Sequence, residues 1–176
     1  SIIPAADLSE QISTAGFEAS GTSNMKFGLN GALTIGTMDG ANVEMHERVG
    51  AEHMFIFGLS AQQVEARKHA GEFNAGADIA ASHRLNDVLQ AIRGGVFSPD
   101  DPGRYAGLID GLIDYDRFLV CADFDSYWDA QARVEAHWHD SKAWWRSAVL
   151  NTARMGWFSS DRTIREYATE IWKALD

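Results

Sequence analysis

The sequence predicts an α/β fold, in which short parallel strands alternate with helices and a helix-rich tail closes the chain. Three features carry that prediction. Met54-Phe55-Ile56-Phe57, closed by Gly58, is an apolar run of strand length, the pattern of a strand buried on both faces. Ser60-Ala61-Gln62-Gln63 follows at once and fits a capping box, so a helix should run from there to a C′ glycine at Gly71. The last fifty residues read as helical throughout. Strands that alternate with helices in sequence build parallel sheets.

Taken in order, the chain opens on Ser1-Ile2-Ile3-Pro4-Ala5-Ala6-Asp7, which reads as a strand end and loop entered in mid-course. With no initiator methionine, this is expected to be a piece of a longer chain. Residues 14–50 are rich in Gly, Ser, Thr and Asn, and a helix should start near Met25, capped by Thr22, Ser23 or Asn24. Beyond the 54–71 strand and helix, Leu85, Val88, Leu89 and Ile92 recur at helical spacing before Gly94-Gly95. Tyr105, Leu108, Ile109, Leu112 and Ile113 repeat that pattern. Arg117-Phe118-Leu119-Val120-Cys121-Ala122 is a second candidate for a buried strand. In the tail, Ser126, Ser141 and Ser160-Asp161 are expected N-caps, and Ile164, Tyr167, Ala168, Ile171 and Leu175 mark one apolar face. All six tryptophans lie between Trp128 and Trp172, so the tail should pack on the sheet or on chain outside this sequence.

Composition narrows the function classes. The 176 residues suffice for a sizeable core, and 45% hydrophobic with 23% charged residues is near the globular average. Lys+Arg 15 against Asp+Glu 25 gives a net charge of −10, with no dense basic stretch to offset it. Binding to nucleic acid or to an anionic membrane is therefore disfavoured. The one cysteine, Cys121, makes neither an intrachain disulfide nor a thiolate metal cluster. No apolar run is long enough to span a bilayer, and the N-terminus lacks the pattern of a signal peptide. A cytoplasmic location is the expectation.

The chemistry concentrates between Gly16 and Phe27. Gly16, four residues, then Gly21 comes close to a nucleotide-binding loop, but Thr22 stands where the phosphate-binding lysine belongs. Small residues still let backbone amides approach a ligand, and a helix start offers unpaired N–H donors and partial positive charge to a phosphate. Gly28 and Gly31, read as interior to this helix, each cost about 1 kcal/mol relative to alanine. Such a helix is imposed by its surroundings, and its glycines leave room for something bulky. Met25, Leu29, Ala32 and Leu33 supply its packing face.

Lys26 falls in the first turn, where the helix dipole disfavours an ammonium by roughly 0.3–1 kcal/mol. Burial would favour the neutral, nucleophilic amine further. An aldehyde cofactor that also carries a phosphate would use the amine and the helix start together, which points to pyridoxal 5′-phosphate. The plain alternative is a solvated lysine side chain.

The residues of this segment resemble the glycogen/starch/maltodextrin phosphorylase family. The likeness runs through Ile3–Gly16, Glu18–Lys26, Leu29–Thr37 and Asp39–Glu44, and returns at Phe55–Gly58, Phe97–Pro99 and Phe158–Ile164. It implies an α-glucan phosphorylase, a glycosyltransferase built from two Rossmann-like halves around a cleft. This chain would form the C-terminal part of the second half: a partial Rossmann-like domain over residues 1–125 and its helical tail over 126–176. The resemblance further implies that Lys26 holds pyridoxal phosphate as a Schiff base, with the backbone around Thr22 and Ser23 on its phosphate. Glu18 would hydrogen-bond a glucosyl hydroxyl, and the backbone of Ser20 and Gly21 would help hold that sugar. The implied reaction is phosphorolysis of a terminal α-1,4-glucosidic bond to glucose 1-phosphate, with α-1,4-glucan and inorganic phosphate as substrates. The family is usually homodimeric. Its phosphate-clamping Arg and Lys lie in the missing N-terminal part of the enzyme, so the chain alone is expected to be inactive. Phe17 departs from the polar or small residue expected beside Glu18, and Ser1 from a basic one. The competing expectation is a non-catalytic α/β module that binds a partner or a phosphate ligand.

Other residue clusters read as structural. His137-Trp138-His139 places its histidines on diverging faces of a helix, and His46, His53, His69 and His83 are scattered, so no metal site is expected. Asp110, Asp114 and Asp116 are read as a helix's polar face and exit, and Asp39 and Asn42 as caps of a helix entering at Val43. Trp144-Trp145 is assigned to helix packing, Cys121 to a buried apolar position, and Arg162 and Arg165 to solvent or acidic neighbours.

Overall fold

The structure, a computed structural model, describes residues 2–18, 21–71 and 75–174. Strands β1 (Leu8–Gln11), β2 (Leu33–Thr37) and β3 (Met54–Phe57) pair in parallel in the order β1-β2-β3. Leu8 lies opposite Leu33, and Ile35 opposite Phe55. Each strand is followed by a helix, α1 (Ser23–Leu29), α2 (Ala41–Val49) and α3 (Ala61–Ala70). Then come α4 (Gly76–Ala81), α5 (His83–Arg93), α6 (Ala106–Asp114), α7 (Val120–His139), α8 (Ser141–Arg154) and α9 (Ser160–Glu166). The parallel α/β architecture with a helical tail is as the sequence predicts.

Side chains alternate along the strands and fill two layers. Leu33, Ile35, Phe55 and Phe57 pack against Ala130, Val134, Trp144 and Ala148 of α7 and α8. Met54 and Ile56 turn the other way, onto Met45 and Val49 of α2 and Met155 beyond α8. Every residue of β2 is buried, as a central strand covered on both faces must be. Full burial of each large apolar side chain contributes about 1.5–3 kcal/mol.

Local signals explain several elements. Ser60 Oγ accepts from the Gln63 amide and Gln63 Oε1 from the Ser60 amide, so the capping box forms, and left-handed Gly71 ends α3. Helices α5 and α6 cover the two predicted periodic stretches.

Other expectations are corrected. Residues 117–122 are not a strand: Leu119 sits in the left-handed region at φ 51°, and α7 begins at Val120. Asp116 takes the amides of Val120 at 2.9 Å and Cys121 at 2.7 Å, so a buried carboxylate consumes the donors a strand would need. Ser126 consequently lies inside α7, where its Oγ accepts from the Gly58 amide. Asp140, not Ser141, caps α8, and Ser159, without a side-chain cap bond, precedes α9.

The last apolar face is mostly uncovered. Ala168 is buried, whereas Ile164 and Ile171 are more than half exposed, and the helix ends in a π-turn over Tyr167–Ile171. Leu175 and Ser1 lie outside the described residues. Trp144 packs in the core as expected, but its neighbour Trp145 is exposed.

Candidate functional site

The first two strands end at one place, and the glycine-rich loop folds over it. Ligands of open parallel sheets collect at this carboxyl edge. There Gln11, Ser13, Glu18, Gly21, Ser23, Asn24, Thr37, Asp39 and Asn42 line a small polar pocket of ≈ 60 Å³. A space of that size admits a few waters or a small anionic group.

Helix α1 is shorter than the sequence suggests. It runs seven residues, so Gly31 (φ 95°), Ala32 and Leu33 lie beyond it, and the latter two are core residues of the turn and of β2. Leu29 is half exposed and does not join a packing face, whereas Met25 does. Gly28 does what an interior glycine was expected to do. A Cβ there would stand 3.0 Å from Cγ of Met155, so its absence lets the tail lie against the helix. Thr152 Oγ1 donates to the Gly28 carbonyl and Asn151 Nδ2 to that of Ala32, which ties the end of α1 to α8. Surroundings, not propensity, impose this helix.

The start of α1 is fixed from below. Asn42 donates to the Thr37 carbonyl at 3.0 Å and accepts from Asn24 Nδ2 at 2.9 Å, while Asn24 Oδ1 accepts from the Met25 amide. Asn42 therefore does not cap α2, whose N-cap is Gly40. Asp39 does not cap it either. Its Oδ2 accepts from the amides of Phe17 at 3.2 Å and Glu18 at 2.8 Å. Sequence reading missed both roles, because a polar residue ahead of a helix looks like a cap until the loop that competes for it is placed. The repeated Asp and Asn around a glycine-rich loop were the available signal.

The expected site residues fall as follows. Glu18, Gly21 and Ser23 line the pocket together, Ser13 Oγ donates to Glu18 Oε2 at 2.9 Å, and Ser23 Oγ donates to Gln11 Oε1 at 3.3 Å. Thr22 is the N-cap of α1, and its side chain makes no capping bond. Lys26 is the fourth residue of α1, and its amide closes the first turn onto the Thr22 carbonyl at 3.1 Å. Its side chain is exposed in this chain, as in the plain alternative of a solvated lysine, and it does not line the pocket. Ser20 lies outside the described residues. Phe17 packs edge-on against Phe118, with Lys68 Nζ 4.1 Å above its ring, so this departure from the expected residue braces the loop's outer side. Among the described residues, no group of three or more His, Cys, Asp or Glu side chains gathers to hold a metal.

The donors at this edge fit a phosphorylated aldehyde. The first amides of α1 have no backbone partner within the helix, and that of Met25 is taken by Asn24 Oδ1. The Thr22 hydroxyl is not spent on capping, Ser23 is exposed, and the Lys26 side chain is exposed one turn further on.

Comparison with known proteins identifies the family. The pattern of the Phosphorylase family, described as carbohydrate phosphorylase, matches residues 1–174. The brain form of glycogen phosphorylase from Bos taurus is 53% identical over 173 residues, 98% of this chain and 20% of that protein. Glycogen phosphorylase of Synechocystis is 52% identical over 97% of the chain and 20% of its own length. That of Pasteurella multocida is 52% identical over 98% and 21%. The chain thus spans about a fifth of the length of the curated relatives it matches.

Proposed function

The chain belongs to the carbohydrate phosphorylase family, and from that premise we propose that it is the coenzyme-lysine portion of an α-glucan phosphorylase. The reaction proposed for the whole protein is phosphorolysis of terminal α-1,4-glucosidic bonds. The bond from C1 to the departing sugar oxygen breaks, C1 joins a phosphate oxygen to give glucose 1-phosphate, and the departing oxygen takes a proton. The observation that carries the reading is the convergence of Glu18, Gly21 and Ser23 on one polar pocket at the sheet's carboxyl edge.

In this reading Lys26 holds pyridoxal 5′-phosphate covalently, and Thr22 and Ser23 contact its phosphate. The bound coenzyme supplies a phosphate that serves proton transfer to the departing sugar oxygen. Glu18, oriented by Ser13, accepts a hydrogen bond from a glucosyl hydroxyl. The backbone of Ser20 and Gly21 completes the hold on the sugar. Residues 1–125 form the partial Rossmann-like domain and residues 126–176 its tail. The other part of the enzyme supplies the groups that clamp inorganic phosphate. The active protein is a cytoplasmic homodimer, and the chain alone is inactive. Trp128, Trp138, Trp145 and Trp172, each at least half exposed, support a larger protein that covers them.

The test is borohydride reduction of the full-length protein followed by peptide mapping. The coenzyme is expected on the peptide that contains Lys26, and coenzyme found on another lysine of active enzyme refutes the assignment. The separate chain, given phosphate and maltooligosaccharide, is expected to release no glucose 1-phosphate. Robust release refutes its inactivity. If the full-length protein also neither binds coenzyme nor turns over, the non-catalytic module is the correct reading.

A further inference from the structure

We infer that Asp39 is a positioning residue, which sets the turn presenting Glu18 to the sugar. The inference rests on the reading of Glu18 as the sugar-binding carboxylate. One oxygen of Asp39 accepts both the Phe17 and Glu18 amides, at 3.2 and 2.8 Å. Hydrogen bonds to a carboxylate are about twice as strong as those between neutral groups. Asp39 is itself anchored to the end of β2: its amide donates to the Thr37 carbonyl at 2.9 Å. Nothing in α2 competes for the carboxylate, because Gly40 caps that helix without a side-chain bond.

The other end of Glu18 is held from the same edge. Ser13 Oγ donates to its carboxylate at 2.9 Å, and Thr37 Oγ1 fixes the Ser13 carbonyl at 2.6 Å. The backbone and the carboxylate of Glu18 are thus both referred to the ends of β1 and β2. Phe17, clasped between Phe118 and Lys68, stops the turn from peeling outward. Without Asp39 the turn, which opens on Gly16 at φ 85°, loses its charged anchor while the sheet below it stays whole. A displacement of about 1 Å in such a group costs on the order of 10²-fold in rate.

The experiment uses the full-length protein with Asp39→Ala, Asp39→Asn and Glu18→Gln. We expect Asp39→Ala to lose on the order of 10²-fold in kcat/KM for maltooligosaccharide. KM for phosphate, coenzyme content and Tm should stay near wild type. Asp39→Asn keeps an acceptor oxygen and should recover most of the loss, with faster amide exchange at Phe17 and Glu18. Wild-type kinetics in Asp39→Ala beside impaired Glu18→Gln overturns the positioning role alone. An Asn variant no better than Ala overturns it too. Should Asp39→Ala not fold, unchanged amide exchange in Asp39→Asn is the overturning result. Wild-type kinetics in Glu18→Gln refutes the sugar-binding reading and this inference with it.

Discussion

Burial, together with the nearby Asp116 carboxylate, pushes the Cys121 thiol up to about 12. Almost no thiolate exists at neutral pH, and Cys121 is 3% exposed. The native protein should therefore resist thiol-specific reagents and react only on unfolding, so labelling against urea should follow the global transition. Labelling at the rate of a free thiol would contradict this. His53 behaves differently, as a buried member of a chain of polar groups that reaches the surface at Glu52. Its Nδ1 lies 3.0 Å from Ser147 Oγ, which also lies 3.0 Å from His137 Nε2, and Glu52 reaches its Nε2 at 3.3 Å. Burial holds the His53 imidazole below its ordinary range; Glu52 opposes that shift, while Arg154, Arg146 and His137 add to it. Below about pH 6.5 the unfolded chain takes a proton that the folded one refuses, so stability falls with acidification down to the folded-state value. Unfolding midpoints measured between about pH 8 and 5 should show this decline, with a shallower slope in His53→Gln. An identical slope in that variant would remove His53 as the cause.

At the scale of elements, two contacts decide whether the framework closes. Gly36 lies opposite Gln11 of β1, and a Cβ there would meet the Gln11 backbone oxygen at 2.7 Å. Gly36→Ala should destabilise by about 1–3 kcal/mol, because a backbone oxygen in a ladder cannot move aside. An unchanged urea midpoint would show that the strands yield instead. Asp116 stands in for a helix cap, so Asp116→Ala should cost about 1–2 kcal/mol. Its effect should appear as early loss of protection at the Val120 and Cys121 amides in hydrogen exchange, and uniform protection would refute the capping role. This element also shows where sequence reading stops. The apolar run 117–122 carries the composition of a strand, and its amides are removed from any sheet by a carboxylate a few residues upstream. The capping box of α3 was legible because all its partners lie within four residues, whereas the bonds from Asp39 to residues 17 and 18 span more than twenty.

Across the whole molecule, the three-stranded sheet is covered on one face by α7 and α8 and on the other by α2 and the turn around Met155. The outer side of α7 remains open, with Phe124, Tyr127, Trp128 and Trp138 along a groove of ≈ 690 Å³. No described helix is long and apolar enough to cross a membrane. Acrylamide should quench most of the tryptophan emission of this chain, leaving a shielded component from Trp144 that Trp144→Phe removes. Uniform shielding would mean that the aromatic face closes on itself or on a second copy. By itself the sequence determined the alternation of strand and helix, the stops at Gly71 and Gly94, and the loop in which the site residues lie. Those signals are short-range patterns of polarity, backbone freedom and capping. Only the tertiary structure decided that Asp39 and Asn42 serve the loop and α1 rather than α2, that Gly28 makes room for Met155, and that residues 120–122 open a helix. A donor bonds to whichever acceptor the packed chain brings near, and these partners are separated by anything from four residues to more than a hundred.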